Sequence, residues 1–264
     1  MMTRVPRRLR GPRPKPPIGQ GNTLAAAYSE MIEGWASLLD RLLSGWMHHV
    51  MPPYKADATS WIRERIRALE AEIGTSTNAL DPILIKVGKR VESKVPQIKI
   101  EGTISVKARI SARQAPGLAI DAYRATNVAK IKSIASERLQ EMTDLLEQAE
   151  EENWHVDKLR KEFQRQFDVT KSKASLLARD QTLKLGAAIT KERQTQAGIR
   201  QYVWSTSGDE RVREGHAELD GTVQSWDDPP DTGDGQNCHP GEDYQCRCVA
   251  IPVMPEIEDD QSED

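Results

Sequence analysis

The sequence predicts an α+β protein: a mainly helical N-terminal region that includes a long helical hairpin, followed by a small α+β C-terminal module. Through residue 197 the apolar residues mostly recur three and four apart, the period of one helix face. Past Gly198 the apolar runs shorten and alternate with polar residues, as in strands. The segment NCHPGEDYQCRC, residues 237–248, holds all three cysteines and one of the five histidines, which marks a small unit with chemistry of its own. At 38% hydrophobic the chain can build a core, but it is only 5% aromatic and Phe163 and Phe167 are its only phenylalanines. The core therefore rests on Leu, Ile, Val and Ala, a composition that favours helices.

Residues 1–22 are expected to form a disordered basic arm. Arg4, Arg7, Arg8, Arg10, Arg13 and Lys15 precede the first acidic residue, Glu30, and prolines at 6, 12, 14, 16 and 17 exclude a helix there. Such an arm suits an electrostatic tether to nucleic acid or an acidic protein surface, or serves only as a solvated tail. The proline-rich stretch stands where a secretory signal would need an apolar segment, so no export is expected. No apolar run approaches the ~20 residues that cross a bilayer, so no membrane partner is expected.

Residues 23–168 read as mainly helical. From Leu24 the stripe Leu24, Tyr28, Met31, Trp35, Leu38, Leu39, Leu42 and Trp46 runs until Pro52 and Pro53 stop it. A second helix is expected over roughly 56–73, ended by Gly74. Around 97–110 the period changes to two, with Ile98 and Ile100, then Ile104, Val106, Ala108 and Ile110, on either side of Gly102, which predicts a short hairpin. Helical spacing returns in Val128, Ile131, Ala135, Leu139, Met142, Leu146 and Ala149, a long helix facing a partner helix. Further helices are expected over 154–167 and 170–197, with Thr170 as N-cap and Gly198 at the C-cap. These stripes are core faces, not cofactor sites. His48, His49 and His155 read as structural or exposed.

The C-terminal module is expected over 169–254, with an acidic tail at 255–264. Tyr202 and Trp204 alternate as in a short strand, EGHAELDG reads as a helical turn broken at Gly221, and Val223–Trp226 and CVAIPV read as return strands. So small a module profits from a staple. Three cysteines suit a disulfide framework poorly and suit a metal or burial better. Thiolate and imidazole are donors that zinc prefers. Cys246 and Cys248, two apart, point to one side if they lie on a strand, and His239 sits just upstream. Cys238 and His216 are the candidates for a fourth ligand. The spacing is C-x-C rather than the C-x-x-C of a zinc knuckle, and three buried thiols beside a hydrogen-bonded histidine are the plainer alternative.

The blocks RDQTLKL, TSGDERVREGHAELDG, SWDDPP and HPGEDYQCRCVAIPV, taken in order, resemble the C-terminal signature of the phage head-morphogenesis family, the Mu protein F-like minor capsid proteins of tailed bacteriophages. The positions that match the motif are Arg179, Asp180, Arg211, His216, Asp220, Gly221, His239, Pro240, Cys246, Arg247 and Cys248. Cys238 lies outside it, so His216 becomes the better fourth ligand. The expected site is one closed structural zinc on His216, His239, Cys246 and Cys248, with Arg247 pointing to the opposite face. The resemblance implies a minor capsid protein of the virion head, present in the host cytoplasm during assembly and acting near the portal vertex in procapsid assembly and genome packaging. Its implied partners are portal protein and major capsid or scaffolding protein, with packaged DNA reached through the basic arm.

A competing reading combines His216, Asp220, Asp227, Asp228, Asn237 and His239 into a metal-dependent nuclease or other hydrolase. None of G-x-x-x-x-G-K-[ST], H-E-x-x-H or G-x-S-x-G occurs, and Asp227 and Asp228 before Pro229 read as turn residues. The chain is therefore expected not to be an enzyme and to have no catalytic residues.

Overall fold

The computed structural model describes residues 10–49, 55–98, 106–152, 154, 156–233 and 235–254. Its elements are α1 (Ile18–His49), α2 (Lys55–Asn78), α3 (Asp81–Lys94), α4 (Val106–Glu151), α5 (Val156–Gln196), β1 (Gln201–Ser205), α6 (Glu214–Glu218), β2 (Val223–Ser225) and β3 (Val249–Pro252). The α+β class and its order, helices first and a small sheet last, are as the sequence predicts. The chain divides into two compact units: one of Gly21–Val87 with Tyr123–Arg179, the other of Gly88–Ala122 with the described parts of Met1–Gln20 and Asp180–Asp264.

The first unit is helical, and its core is the apolar stripes. Leu24, Tyr28, Ile32 and Trp35 of α1, Ile66, Leu69 and Ile73 of α2, Ile131, Ala135, Leu139, Met142 and Leu146 of α4, and Leu159, Phe163 and Phe167 of α5 are all buried. Each such side chain contributes roughly 1.5–3 kcal/mol by leaving water. Buried polar groups within this core are matched. The amide of Asn127 donates to Tyr123 O and its Oδ1 accepts from the Tyr28 hydroxyl, both at 2.8 Å. Burial drives the Tyr28 phenol well above its ordinary pKa, so it stays a donor. The Trp35 indole donates to Ser76 Oγ at 2.9 Å.

Several boundaries depart from expectation. Helix α1 begins at Ile18, inside the segment expected to be disordered. Helix α2 continues through Gly74 to Asn78, and the hydroxyls of Thr75, Ser76 and Thr77 bond back to carbonyls three or four residues earlier in the helix. Helix α3, with Asp81 in its first turn, Pro82 behind it and Lys94 in its last turn, was not anticipated. The second strand of the expected hairpin is absent, because Val106–Ile110 form the first turn of α4; 99–105 lie outside the described residues, as do His155 and the acidic tail at 255–264. Helix α5 is continuous across Thr170, whose hydroxyl is no N-cap but donates to Gln166 O at 2.7 Å within the helix.

The second unit holds a three-stranded antiparallel sheet in the order β2-β1-β3. Tyr202 pairs with Gln224 on one side and Pro252 on the other, and Trp204 pairs with Ala250. The end of α5 is tied to its surroundings by two polar side chains. Arg193 donates to the carbonyls of Glu92 and Val95 at the end of α3, satisfying groups that a helix terminus leaves open. Gln194, 1% exposed, donates to Ala250 O at 2.9 Å and accepts from the Trp226 indole at 3.1 Å. Gly198, at φ +80°, then closes α5: Gly198 N bonds Thr195 O and Ile199 N bonds Gln194 O.

Residues 10–17 are ordered, contrary to the expected arm. Arg10 bridges Val253 in antiparallel fashion, Gly11 N donates to Pro252 O at 2.8 Å, and Arg13 donates to Thr206 O at 3.0 Å. A Cβ on Gly11 would come within 2.7 Å of Pro252, so this close approach needs glycine. Pro17 lies against Gly186 of α5, where a Cβ would meet the proline ring at 3.0 Å.

Gln194→Leu leaves the Trp226 N–H and the Ala250 carbonyl buried without partners. It is expected to destabilise the unit by about 1–3 kcal/mol, read as a fall in denaturant midpoint followed by tryptophan fluorescence. A midpoint equal to that of the wild type would show that these two bonds contribute nothing net.

Candidate metal centre

The site is built from α6 and the loop that leads into β3. Helix α6 starts after Arg213, which is extended at φ −66° and ψ 150°, and it carries His216 at its centre. Gly215 lets this short helix sit on the 232–233 backbone, since a Cβ there would lie 1.8 Å from Thr232 O. His216 is thereby buried to 2% exposure. The opposing loop turns at Gly241, φ +87°, where a Cβ would fall 2.8 Å from the Ala187 side chain, and again at Gln245, φ +55°. Asp180 of α5 holds the second turn by accepting from Gln245 N at 2.9 Å. Cys246 and Cys248 therefore precede β3 rather than lying on a strand as expected, and the turn, not a pleat, brings their sulfurs together. The backbone N–H of Cys248 points at the Cys246 sulfur, 3.4 Å away.

His216 Nδ1 stands 3.6 Å from Cys246 Sγ and 3.5 Å from Cys248 Sγ. The donor atoms of these three buried residues all lie within 4.8 Å of one another, and theirs is the group of metal-ligating character found among the described residues. On its other edge, His216 Nε2 faces Asp243 Oδ2 at 3.4 Å. That oxygen also pairs with Arg213 Nη1 at 2.9 Å, yet neither Nε2 nor Oδ2 completes a well-angled hydrogen bond. Trp204, fully buried, meets the imidazole in a T-shaped arrangement with the ring centroids 5.3 Å apart.

The two thiols are shifted in opposite directions. A hydrogen bond from the Cys248 side chain pulls the Cys246 thiol down to about 6 against the opposing effect of burial, aided by the backbone N–H groups of Cys248 and Gly241 and by His216. The same bond, with burial, pushes Cys248 up. Cys238, nearby in the chain, is pushed up to about 11 by burial and stands outside the group.

His239 is not brought to the sulfurs. Its Nδ1 bonds the Tyr202 hydroxyl at 2.9 Å, its ring lies 4.9 Å from that of Trp226, and its backbone N donates to Glu242 Oε2 at 2.8 Å. Burial lowers its pKa, so the ring is a neutral hydrogen-bonding group inside an aromatic box. The residues of the hydrolase reading are dispersed. Asp220 Oδ1 accepts from Thr206 N at 2.7 Å and from its hydroxyl at 3.0 Å, Asp227 pairs with Arg200 at the surface, and Asn237 bridges Asp231. Arg247 turns away from the sulfurs to a two-pronged pair with Asp209, and this guanidinium holds the Asp209 carboxyl below its usual range. Sequence reasoning missed Asp243, Trp204 and Arg213. The signal for Asp243 was in plain view, an acidic residue three positions before Cys246 in the cysteine-bearing block.

Three comparisons bear on this segment. Residues 140–251 match the family model of Phage Mu protein F like protein. An uncharacterized protein of Haemophilus influenzae is 41% identical over 135 residues, which is 51% of this chain and 29% of that protein, so the chain spans less than a third of that relative's length. No solved structure matches. The matched residues run from within α4 to β3 and take in every residue of the His216, Cys246 and Cys248 group, so this part of the chain is similar to the Phage Mu protein F like family that the sequence blocks resemble.

Proposed function

We propose that the protein is a structural minor component of a tailed-phage head that acts near the portal vertex during procapsid assembly and genome packaging. The observation that supports this reading is the family match over residues 140–251, which takes in the run of elements from within α4 through α5 to β3, with the buried polar site. Within that run the residues matching the family motif have architectural work. Asp180 pins the loop at Gln245, Asp220 ties the turn after α6 to the end of β1, and Arg247 locks to Asp209. A scaffold of this kind presents surfaces to portal, major capsid or scaffolding protein, and no described helix is long and apolar enough to cross a membrane.

Deleting the gene from the phage is the direct test. The deletion strain is expected to make major capsid protein but few genome-filled, infectious heads, scored by plaque titre and by electron microscopy of lysates. Wild-type titres would overturn the assembly role.

Contact with packaged DNA through the basic N-terminal segment is a further part of the proposal, now confined to fewer charges. Arg13 is committed to Thr206, whereas Arg4, Arg7 and Arg8 precede the ordered strap. Counterion release makes log affinity fall with log salt by ~0.9 per phosphate neutralised. Removing residues 1–9 is therefore expected to flatten the slope by up to about 2.7 while leaving the fold intact. An unchanged slope would assign the segment to a protein surface.

A further inference from the structure

We propose that His216, Cys246 and Cys248 bind a zinc ion through Nδ1 and the two sulfurs, and that Asp243 is the positioning residue that holds the His216 ring by accepting its Nε2–H. The inference stands independently of the assembly role and revises the ligand set read from sequence, which placed His239 in the site.

Distance is the first support. With Zn–S near 2.3 Å and Zn–N near 2.0–2.1 Å, tetrahedral angles put an imidazole nitrogen about 3.6 Å from each thiolate sulfur. The observed separations are 3.6 and 3.5 Å. Donor chemistry is the second support: two sulfurs and one imidazole are what a borderline-soft cation selects over calcium or magnesium, which require oxygens. Burial is the third, because all three ligand residues are at most 6% exposed and a cation there is shielded from competing water.

The remaining support is a pair of buried atoms that otherwise have no account. His216 Nε2 and Asp243 Oδ2 face each other at 3.4 Å without completing a bond. A metal on Nδ1 fixes the ring proton on Nε2, and this directs it at Asp243 Oδ2. Ligating histidines are characteristically held in this way by a carboxylate, which sets both tautomer and ring angle. Arg213 Nη1 pairs with the same oxygen at 2.9 Å and holds the Asp243 side chain in place. Zinc here joins α6 to the loop entering β3, a staple for a sheet of three short strands.

The test uses the full chain. Purified protein is expected to carry about one zinc per chain by elemental analysis, and after removal of zinc to bind Co2+ with the intense near-ultraviolet absorption of cobalt–thiolate charge transfer. Cys246→Ser and Cys248→Ser lose both signals, and Cys238→Ser keeps both. Independently of whether the ligand variants fold, the cobalt spectrum of the wild type decides: no charge-transfer band on titration with Co2+, together with no zinc by analysis, overturns the metal site. For Asp243, chelator competition is expected to show zinc affinity 10- to 100-fold weaker in Asp243→Asn, partly restored in Asp243→Glu, with the melting temperature of the metal-free protein unchanged. Wild-type zinc affinity in Asp243→Asn would overturn the positioning role while leaving the zinc site standing.

Discussion

The C-terminal unit depends on one buried imidazole. His216 is hemmed by two sulfurs on one edge, by the Asp243 carboxylate on the other and by Trp204 in a T-shaped contact. Each of those neighbours belongs to a different piece of chain: the β3 entry loop, the turn before it, and the central strand. A polar ring costs free energy to bury unless its nitrogens are engaged, so its position dictates where all of these pieces come to rest. Gly215 is the local condition for that arrangement, because only a residue without a side chain lets α6 lie on the backbone of 232–233.

Around that ring, polar side chains do the joining that apolar area alone cannot specify. Gln194 reaches from α5 to β3 and to Trp226, Asp180 reaches from the same helix to Gln245, and Arg193 closes the end of α3. Hydrophobic contact tolerates sliding of one surface over another, whereas a buried amide with one donor and one acceptor partner does not. Helix α5 therefore acts as a ruler for the sheet, and the motif residues on it are read as spacing rather than as chemistry.

Sequence reasoning recovered what periodicity can report. The stripe from Ile131 to Leu146 is core, the alternation at Tyr202 and Trp204 is a strand, and Gly198 ends its helix. It failed where one pattern fits two structures. Val106 and Ile110 are two strand positions of one face and also one turn of a helix, and the helix prevailed. Thr170 looks like a helix start until its hydroxyl is seen to turn back on Gln166. At the site, Cys246, Cys248 and His216 were legible because their side chains have few other uses. His239 and Asp243 lie only four residues apart, and which of them comes to the His216 ring is decided by the Pro240-Gly241 turn and by the claim of the Tyr202 hydroxyl on the His239 ring.

The strap at residues 10–17 ties Arg10 to Val253, near the two ends of the described residues. On a ribosome the strap emerges long before β3 exists to receive it, so its hydrogen bonds form only after all the helices between them have been made. Closing so long a loop is entropically slow but adds only a logarithmic cost once the helices between have folded and shortened it. The strap also covers the outer edge of β3, which otherwise offers open backbone groups to any passing strand. The newborn chain thus carries an unguarded sheet edge until its strap comes back to seal it, and a crowded pool of such chains offers each edge the straps of its neighbours as well.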